Sequence, residues 1–174
     1  MSASNFDNCL SIILHHEGGY VNHPKDPGGI TNKGVTKAVY DKWIGRESTV
    51  QEMKDLSESD VGPIYKNNYW DKLKCDDLPD GLDLCVFDFG VNAGPGRSAK
   101  YLQKVVGTTV DGGIGPNTLK AVNDHISDVG LKETIRQFQE DRQGYYERLS
   151  TFDTFGRGWT RRVTETTDMA IEMI

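Results

Sequence analysis

Apolar residues recur at Phe6, Cys9, Leu10, Ile13 and Leu14, the i, i+3, i+4, i+7, i+8 spacing of one helix face. That period predicts an amphipathic helix over residues 5–17, stopped by Gly18 and Gly19. Residues 20–36 then lose the helical period. Pro24, Pro27, Gly28, Gly29 and Gly34 punctuate the β-formers Val21, Ile30, Thr31 and Val35, the pattern of a small, turn-rich β-hairpin. Helical spacing returns from about residue 36, with a short helix over 37–44 and a capping box, Thr49 to Glu52, opening another turn. A further helix runs to about residue 73, with Gly62 and Pro63 marking a late start or a kink, and a loop covers 77–81. Residues 82–91 are apolar almost all round (Leu82, Leu84, Cys85, Val86, Phe87, Phe89), which predicts a central buried helix. Helices follow over 97–106, from 117 after a glycine loop at 110–116, over 127–149 with Gly144 as a weak point, and in a closing segment over 156–174. The sum is an α+β chain, mostly α, with a small β lobe near its N-terminus. No Pro- or Ser-rich linker divides it, so 1–174 reads as one domain, with 5–70 as its N-terminal part and 71–174 as a helical lobe.

Charge narrows the function classes. A net charge of −6 argues against a nucleic-acid partner, which demands a basic face to displace counterions. It also sits awkwardly with an anionic polymer as substrate. Arg136, Arg142, Arg148, Arg157, Arg161 and Arg162 gather in the last third and could offer a local basic face, although charge runs are usually solvated surface. No stretch approaches the roughly 20 apolar residues that span a bilayer, and residues 1–7 lack the basic flank and apolar run of a secretory signal. The expectation is a soluble chain made in the cytoplasm, without stable membrane association. Three cysteines cannot close into disulfides; Cys9 falls on the apolar helix face, and Cys75 and Cys85 are expected as free buried thiols, with pairing across their loop left open.

Candidate chemistry begins with Glu17. It lies four residues after Ile13 and three after Leu14, so it extends the apolar face of its helix at the helix's negative end. A carboxyl so placed is suited to keep a proton for a leaving glycosidic oxygen. Asp26, nine residues on in a polar loop, would stay ionised and stabilise an oxocarbenium-like transition state or orient a water. Thr31, on the strand expected to face the helix end, could position that water. Taken alone, Asp26 could equally be a turn-former and Thr31 an ordinary strand residue. Tyr20, Asn22, Tyr65, Trp70 and Asn92 are the candidates for lining a sugar cleft, because glycan sites combine stacking rings with amide hydrogen bonds. An aromatic at helical spacing, such as Trp70, is more often core than platform. His15, His16, His23 and Asp26 raise a zinc alternative, but adjacent histidines diverge by about 100° on a helix and the second ligand of an HExxH pattern is missing. No metal and no cofactor is expected. Asp76, Asp77, Asp80 and Asp83 lack EF-hand spacing and read as a solvated acidic loop.

The stretch EGGYVNHPKDPGGITNKGVT over residues 17–36 resembles the opening of the glycoside hydrolase family 108 N-acetylmuramidases, phage and prophage endolysins with a catalytic glutamate in an E-G-G-Y motif. It is similar, too, to the Glu, Asp, Thr triad of phage-type lysozymes. Eight residues separate Glu17 from Asp26, as in that pattern, whereas four separate Asp26 from Thr31 where the pattern usually has five. Further on, YWD at 69–71, DFGVNAG at 88–94, Leu102-Gln103 and VDGGIGP at 110–116 resemble the region that accompanies this family and is labelled peptidoglycan-binding. The resemblance implies a lysozyme-like fold and a muramidase acting on peptidoglycan glycan strands with Glu17, Asp26 and Thr31 as its catalytic set. It also implies a monomer serving host lysis that reaches the periplasmic wall after a holin-like membrane protein permeabilises the membrane. A wall-binding protein without catalysis, and a peptidoglycan amidase or endopeptidase, are the competing classes.

Overall fold

The computed structural model describes residues 4–22 and 29–174. In chain order these form α1 (Ser4–Glu17), β1 (Val21–Asn22), β2 (Ile30–Asn32), β3 (Val35–Thr36), α2 (Lys37–Ile44), α3 (Val50–Lys54), α4 (Glu58–Tyr65), α5 (Leu82–Ala93), α6 (Pro95–Val106), α7 (Pro116–Val129), α8 (Leu131–Glu147) and α9 (Phe152–Glu172). The class is α+β and mostly α, as the patterning predicts. Contacts divide the chain into two compact units, Asp7–Asn67 and Asn68–Ile174, the second joined by the start of the chain up to Phe6. No described helix is long and apolar enough to cross a membrane.

In the N-terminal unit the sheet has the order β1-β2-β3, antiparallel throughout, with Val21 opposite Thr31 and Asn32 opposite Val35. Lys33 and Gly34 make the two-residue turn between β2 and β3 with φ of 52° and 78°. Positive φ at both central positions is the hairpin turn whose twist matches the strands it joins. Asn32 is buried and donates to the carbonyls of Met53 at 2.8 Å and Lys54 at 3.2 Å, which ties the sheet to the end of α3. The capping box of Thr49 and Glu52 forms, and a second, Ser57 with Asp60, opens α4. Gly62 and Pro63 do not mark a late start, since α4 already begins at Glu58. The helix continues through Pro63 and winds wider after it, as a π-helical turn over Lys66–Trp70.

The helical unit is built around α5, buried from Leu82 to Gly90. Phe6, Trp70 and Phe87 meet edge to face or tilted, with centroids 5.1 to 5.8 Å apart, contacts worth about 0.5–1.5 kcal/mol per pair beyond burial. Within this apolar frame sits Asp88, fully enclosed. It accepts from Arg142 Nη2 of α8 at 2.7 Å and from Arg162 Nη2 of α9 at 2.9 Å, so one carboxylate joins three helices. Two of the six arginines expected as a surface patch are therefore internal. Gln103, also buried, donates to Asp111 Oδ1, the Gly113 carbonyl and Thr118 Oγ1 and accepts from the N–H groups of Asp111 and Gly112; it is the tie that shapes the glycine loop.

Helix boundaries differ from expectation where glycines decide. Gly130, at φ 92°, separates α7 from α8, so the helix expected to start near 127 begins at Leu131, while Gly144 lies inside α8 without breaking it. The last helix starts at Phe152 rather than near 156, because Gly156 leaves room for the Phe152 ring that folds onto it. Cys9, Cys75 and Cys85 are buried thiols outside any disulfide, so the Cys75–Cys85 pairing left open by the sequence does not form.

Candidate active site

Glu17 is the last residue of α1 and is half-buried. Ile13, one turn earlier on the same face, is fully buried, so Glu17 stands at the edge of the helix's apolar face. The β2–β3 turn comes up against this helix end. A Cβ on Gly34 would lie 3.1 Å from Glu17 Cγ and 3.2 Å from Glu17 Cβ, and would overlap the Tyr65 hydroxyl. Tyr65 donates that hydroxyl to the Lys33 carbonyl at 2.8 Å, so it holds the turn on the side where Glu17 approaches. The side chain of Glu17 is thus packed by a glycine that permits both its approach and the turn's positive φ.

Thr31 lies on β2, half-buried and paired with Val21 and Thr36, so these three share one face of the sheet. Asn22 pairs with Ile30 and belongs to the opposite face, exposed at the sheet's edge. The structure therefore does not bring Asn22 and Thr31 to one surface. Asp26 and His23 lie outside the described residues. Tyr20 is half-buried, with Lys54 Nζ 5.6 Å from its ring centroid, and keeps part of its ring accessible. A separate cavity of about 320 Å³ runs along the same end of α1, between Leu14, His15, Gly18, Lys33 and Glu58; Glu17 is not one of its walls.

Two of the five sugar-lining candidates are corrected by burial. Tyr65 is 2% exposed and its hydroxyl is committed to the turn, so it positions Glu17's surroundings and has no ring face for a sugar. Trp70 is 0% exposed, packs on Phe6 and Phe87, and donates Nε1–H to Asp76 at 2.8 Å; it is a core residue. Asn92, at the end of α5, is half-buried and accepts from the Tyr146 hydroxyl, which in turn accepts from Arg142 Nε at 3.1 Å. Its polar partner is a tyrosine belonging to the Asp88 network. Gly34 was read in the sequence only as punctuation, although the Asn32-Lys33-Gly34 triplet is a hairpin-turn signal. Its role against Glu17 needs the distant Tyr65, which no local pattern supplies.

The chain matches known proteins along its whole length. Residues 10–94 match the family model "Glycosyl hydrolase 108", which includes Glu17 and the sheet. Residues 97–164 match "Predicted Peptidoglycan domain". No curated protein is similar enough to match. Among solved structures, SagA of Brucella abortus is 41% identical, with a TM-score of 0.84 over 99% of this chain and 97% of that one. Identity and coverage at that level carry fold and family together: the chain belongs to glycosyl hydrolase family 108 and is a peptidoglycan-degrading enzyme of lysozyme-like α+β fold.

Proposed function

We propose that the enzyme is an N-acetylmuramidase, hydrolysing the β-1,4 bond between N-acetylmuramic acid and N-acetylglucosamine, with Glu17 as the general acid. The observation that carries this reading is the placement of Glu17: half-buried at the end of α1, packed by the Gly34 turn, inside the segment that matches the hydrolase family. The Glu17 carboxyl gives its proton to the glycosidic oxygen as the C1–O bond breaks. Water adds its hydroxyl to C1 of the muramic acid, and its second proton restores the acid–base pair. Asp26 is the proposed carboxylate opposite, and Thr31 the proposed hydroxyl that orients the water. Tyr20 and Asn92 are the remaining proposed sugar contacts, since Asn22 stands on the sheet face away from Thr31. The reading extends to a monomer without metal or cofactor, made in a host cytoplasm and serving phage-type lysis once a holin-like protein opens the membrane. The sequence resemblance supports that extension.

Mass spectrometry of digested peptidoglycan tests the bond. New reducing ends on muramic acid support the muramidase; reducing ends on glucosamine, or freed peptides and amines, overturn it. Glu17→Gln, which keeps the shape and removes the proton, separates an enzyme using this acid from a wall-binding protein or a hydrolase using another group.

A further inference from the structure

In a chain of net charge −6, α6 has the opposite sign: it carries Arg97, Lys100 and Lys104 and no acid. Arg97 and Tyr101 lie one turn apart on α6, and Tyr145 and Arg148 stand three residues apart at the end of α8. These four side chains interlock. The Arg97 guanidinium lies 4.7 Å from the Tyr145 ring centroid and donates Nη1–H to the Ala93 carbonyl at 3.0 Å. Arg148 donates Nη2–H to the Tyr101 hydroxyl at 3.0 Å. The two tyrosine rings meet edge to face at 6.0 Å, and both stand against the buried Phe89 of α5, at 5.4 and 5.8 Å. Both arginines are exposed, yet neither has a carboxylate partner among the described residues. Glu140 and Glu147 line a groove between α8 and α9 instead, and Asp141 is seven residues, about 10 Å, back along α8 from Arg148.

Gly144 adds an independent observation. A glycine inside a helix is destabilising relative to alanine, and α8 keeps one a turn from its end. A Cβ there would meet one side-chain atom among the described residues within 4 Å, Arg148 Nη1 at 3.2 Å. The missing side chain thus makes room for the guanidinium, which folds back over the glycine to reach Tyr101. Guanidiniums held in place without a counter-charge suit planar oxyanions, which they grip through two parallel N–H bonds, and a fixed fork loses little freedom on binding. Peptidoglycan offers such groups. Its sugars are neutral once the lactyl acid is amide-bonded to the stem, so its negative charge lies on the carboxylates of the stem peptides. We propose that Arg97 and Arg148, backed by Tyr145 and Tyr101, form a wall-contact site that binds stem-peptide carboxylates. All four side chains fall within residues 97–164, the segment that matches the peptidoglycan domain. The site rests on the assignment of peptidoglycan as substrate and needs no chemistry at Glu17. It also answers the mismatch between an acidic chain and an anionic polymer, because this face presents the opposite sign.

The test titrates the full chain with a synthetic acidic stem tetrapeptide, which contains no glycosidic bond. The Nε–H signals of Arg97 and Arg148, assigned by their loss in Arg97→Gln and Arg148→Gln, should shift together. Either substitution should weaken binding about fivefold, the upper end for an exposed ion pair, and amidating the peptide's carboxyls should weaken it about tenfold. Lys132→Gln removes an exposed charge at the far end of α8 and should change binding by less than about twofold. Gly144→Ala supplies a reading that a purely structural role would not give. It should raise Tm by about 2–3 °C, as alanine suits the helix better, while displacing Arg148 and weakening binding about twofold. No shift of either signal, an amidated peptide bound as tightly as the acid, a loss in Lys132→Gln equal to that in Arg97→Gln, or wild-type binding in Gly144→Ala would each overturn the paired site. Digestion of whole walls is followed in parallel. Lost peptide binding with digestion intact removes this site and leaves peptidoglycan as substrate; intact, carboxylate-dependent binding without digestion does the reverse.

Discussion

In the helical unit a carboxylate, Asp88, is enclosed on every side and tied to two guanidiniums, whereas in the N-terminal unit Glu17 stands half-buried at a helix end beside a two-residue turn. Burial pushes the Asp88 carboxyl up, but the charges of Arg142 and then Arg162 outweigh it and hold the group at about 2. A carboxyl that never carries a proton near neutrality cannot donate one, and a charge locked into three helices is not free to meet substrate. Asp88 is thus a structural acid, and Glu17 is the proposed chemical one. Removing each group should therefore damage a different property.

The largest effect is expected at Glu17. Glu17→Gln should lower wall-clearing by about 10³-fold, within the 10²–10⁴ range of general acid catalysis, and leave Tm within about 2 °C of wild type because the amide keeps the size and shape of a side chain that is only half-buried. Turbidity clearing and a thermal melt measured on the same preparation check both halves. Full activity in the variant sinks the proposed acid; a large fall in Tm would show Glu17 to be part of the framework and collapse the contrast with Asp88.

Asp88 should show the inverse. Asp88→Asn leaves two buried guanidiniums without their counter-charge, a loss of about 3–5 kcal/mol, read as a lower denaturation midpoint in urea. Any folded fraction should keep its activity. Arg162→Met, which breaks only the less buried arm of the triad, 12% exposed against 0% for Arg142, should cost less and remain measurable if Asp88→Asn does not fold.

The same contrast predicts a pH window. Asp88 has a folded value near 2 against an ordinary 3.8, so as pH falls the unfolded chain takes up the proton first. Stability from the triad is complete above about pH 4 and is lost as pH falls toward 2, amounting to about 2–3 kcal/mol for a shift of this size. Thermal melts from pH 6 to pH 2 should show that loss in wild type and a shallower slope in Asp88→Asn or Arg162→Met. An unchanged slope would place the acid sensitivity in other carboxyls.

How much of this was readable beforehand follows the range of each interaction. The α1 face, the buried α5, the hairpin region and the Thr49–Glu52 box were legible, because periodicity and caps act within a few residues. Glu17 was legible for the same reason, lying three and four residues past its apolar neighbours. Asp88 was visible only as part of a motif. Its partners lie 54 and 74 residues away, and nothing local distinguishes Arg142 and Arg162 from the exposed arginines around them. Trp70 and Tyr65 were misassigned to the cleft because residue type records what a ring can do and not which way its helix faces. The helix break at Gly130 against the unbroken helix at Gly144 turned on tertiary context that propensity does not hold.

The smallest effect, and the sharpest probe of the site, is at the turn. Gly34→Ala places a methyl group against the Tyr65 hydroxyl and close to Glu17 Cγ, at a φ of 78° that disfavours any side chain. The backbone term alone costs about 1–2 kcal/mol, so Tm should fall modestly. If the turn sets the position of Glu17, activity should fall further than stability, by about tenfold to a hundredfold, since small displacements of a catalytic group are costly. Tyr65→Phe removes the hydroxyl that the new methyl would overlap, at the expense of a hydrogen bond worth about 0.5–1.5 kcal/mol. The double variant Gly34→Ala/Tyr65→Phe should then recover part of the activity lost in Gly34→Ala alone while remaining no more stable than either single variant. Recovery of activity without recovery of stability separates a turn that positions the acid from one that merely closes a hairpin. Parallel loss of both in all three variants would reduce Gly34 and Tyr65 to framework and leave Glu17 positioned by α1 alone.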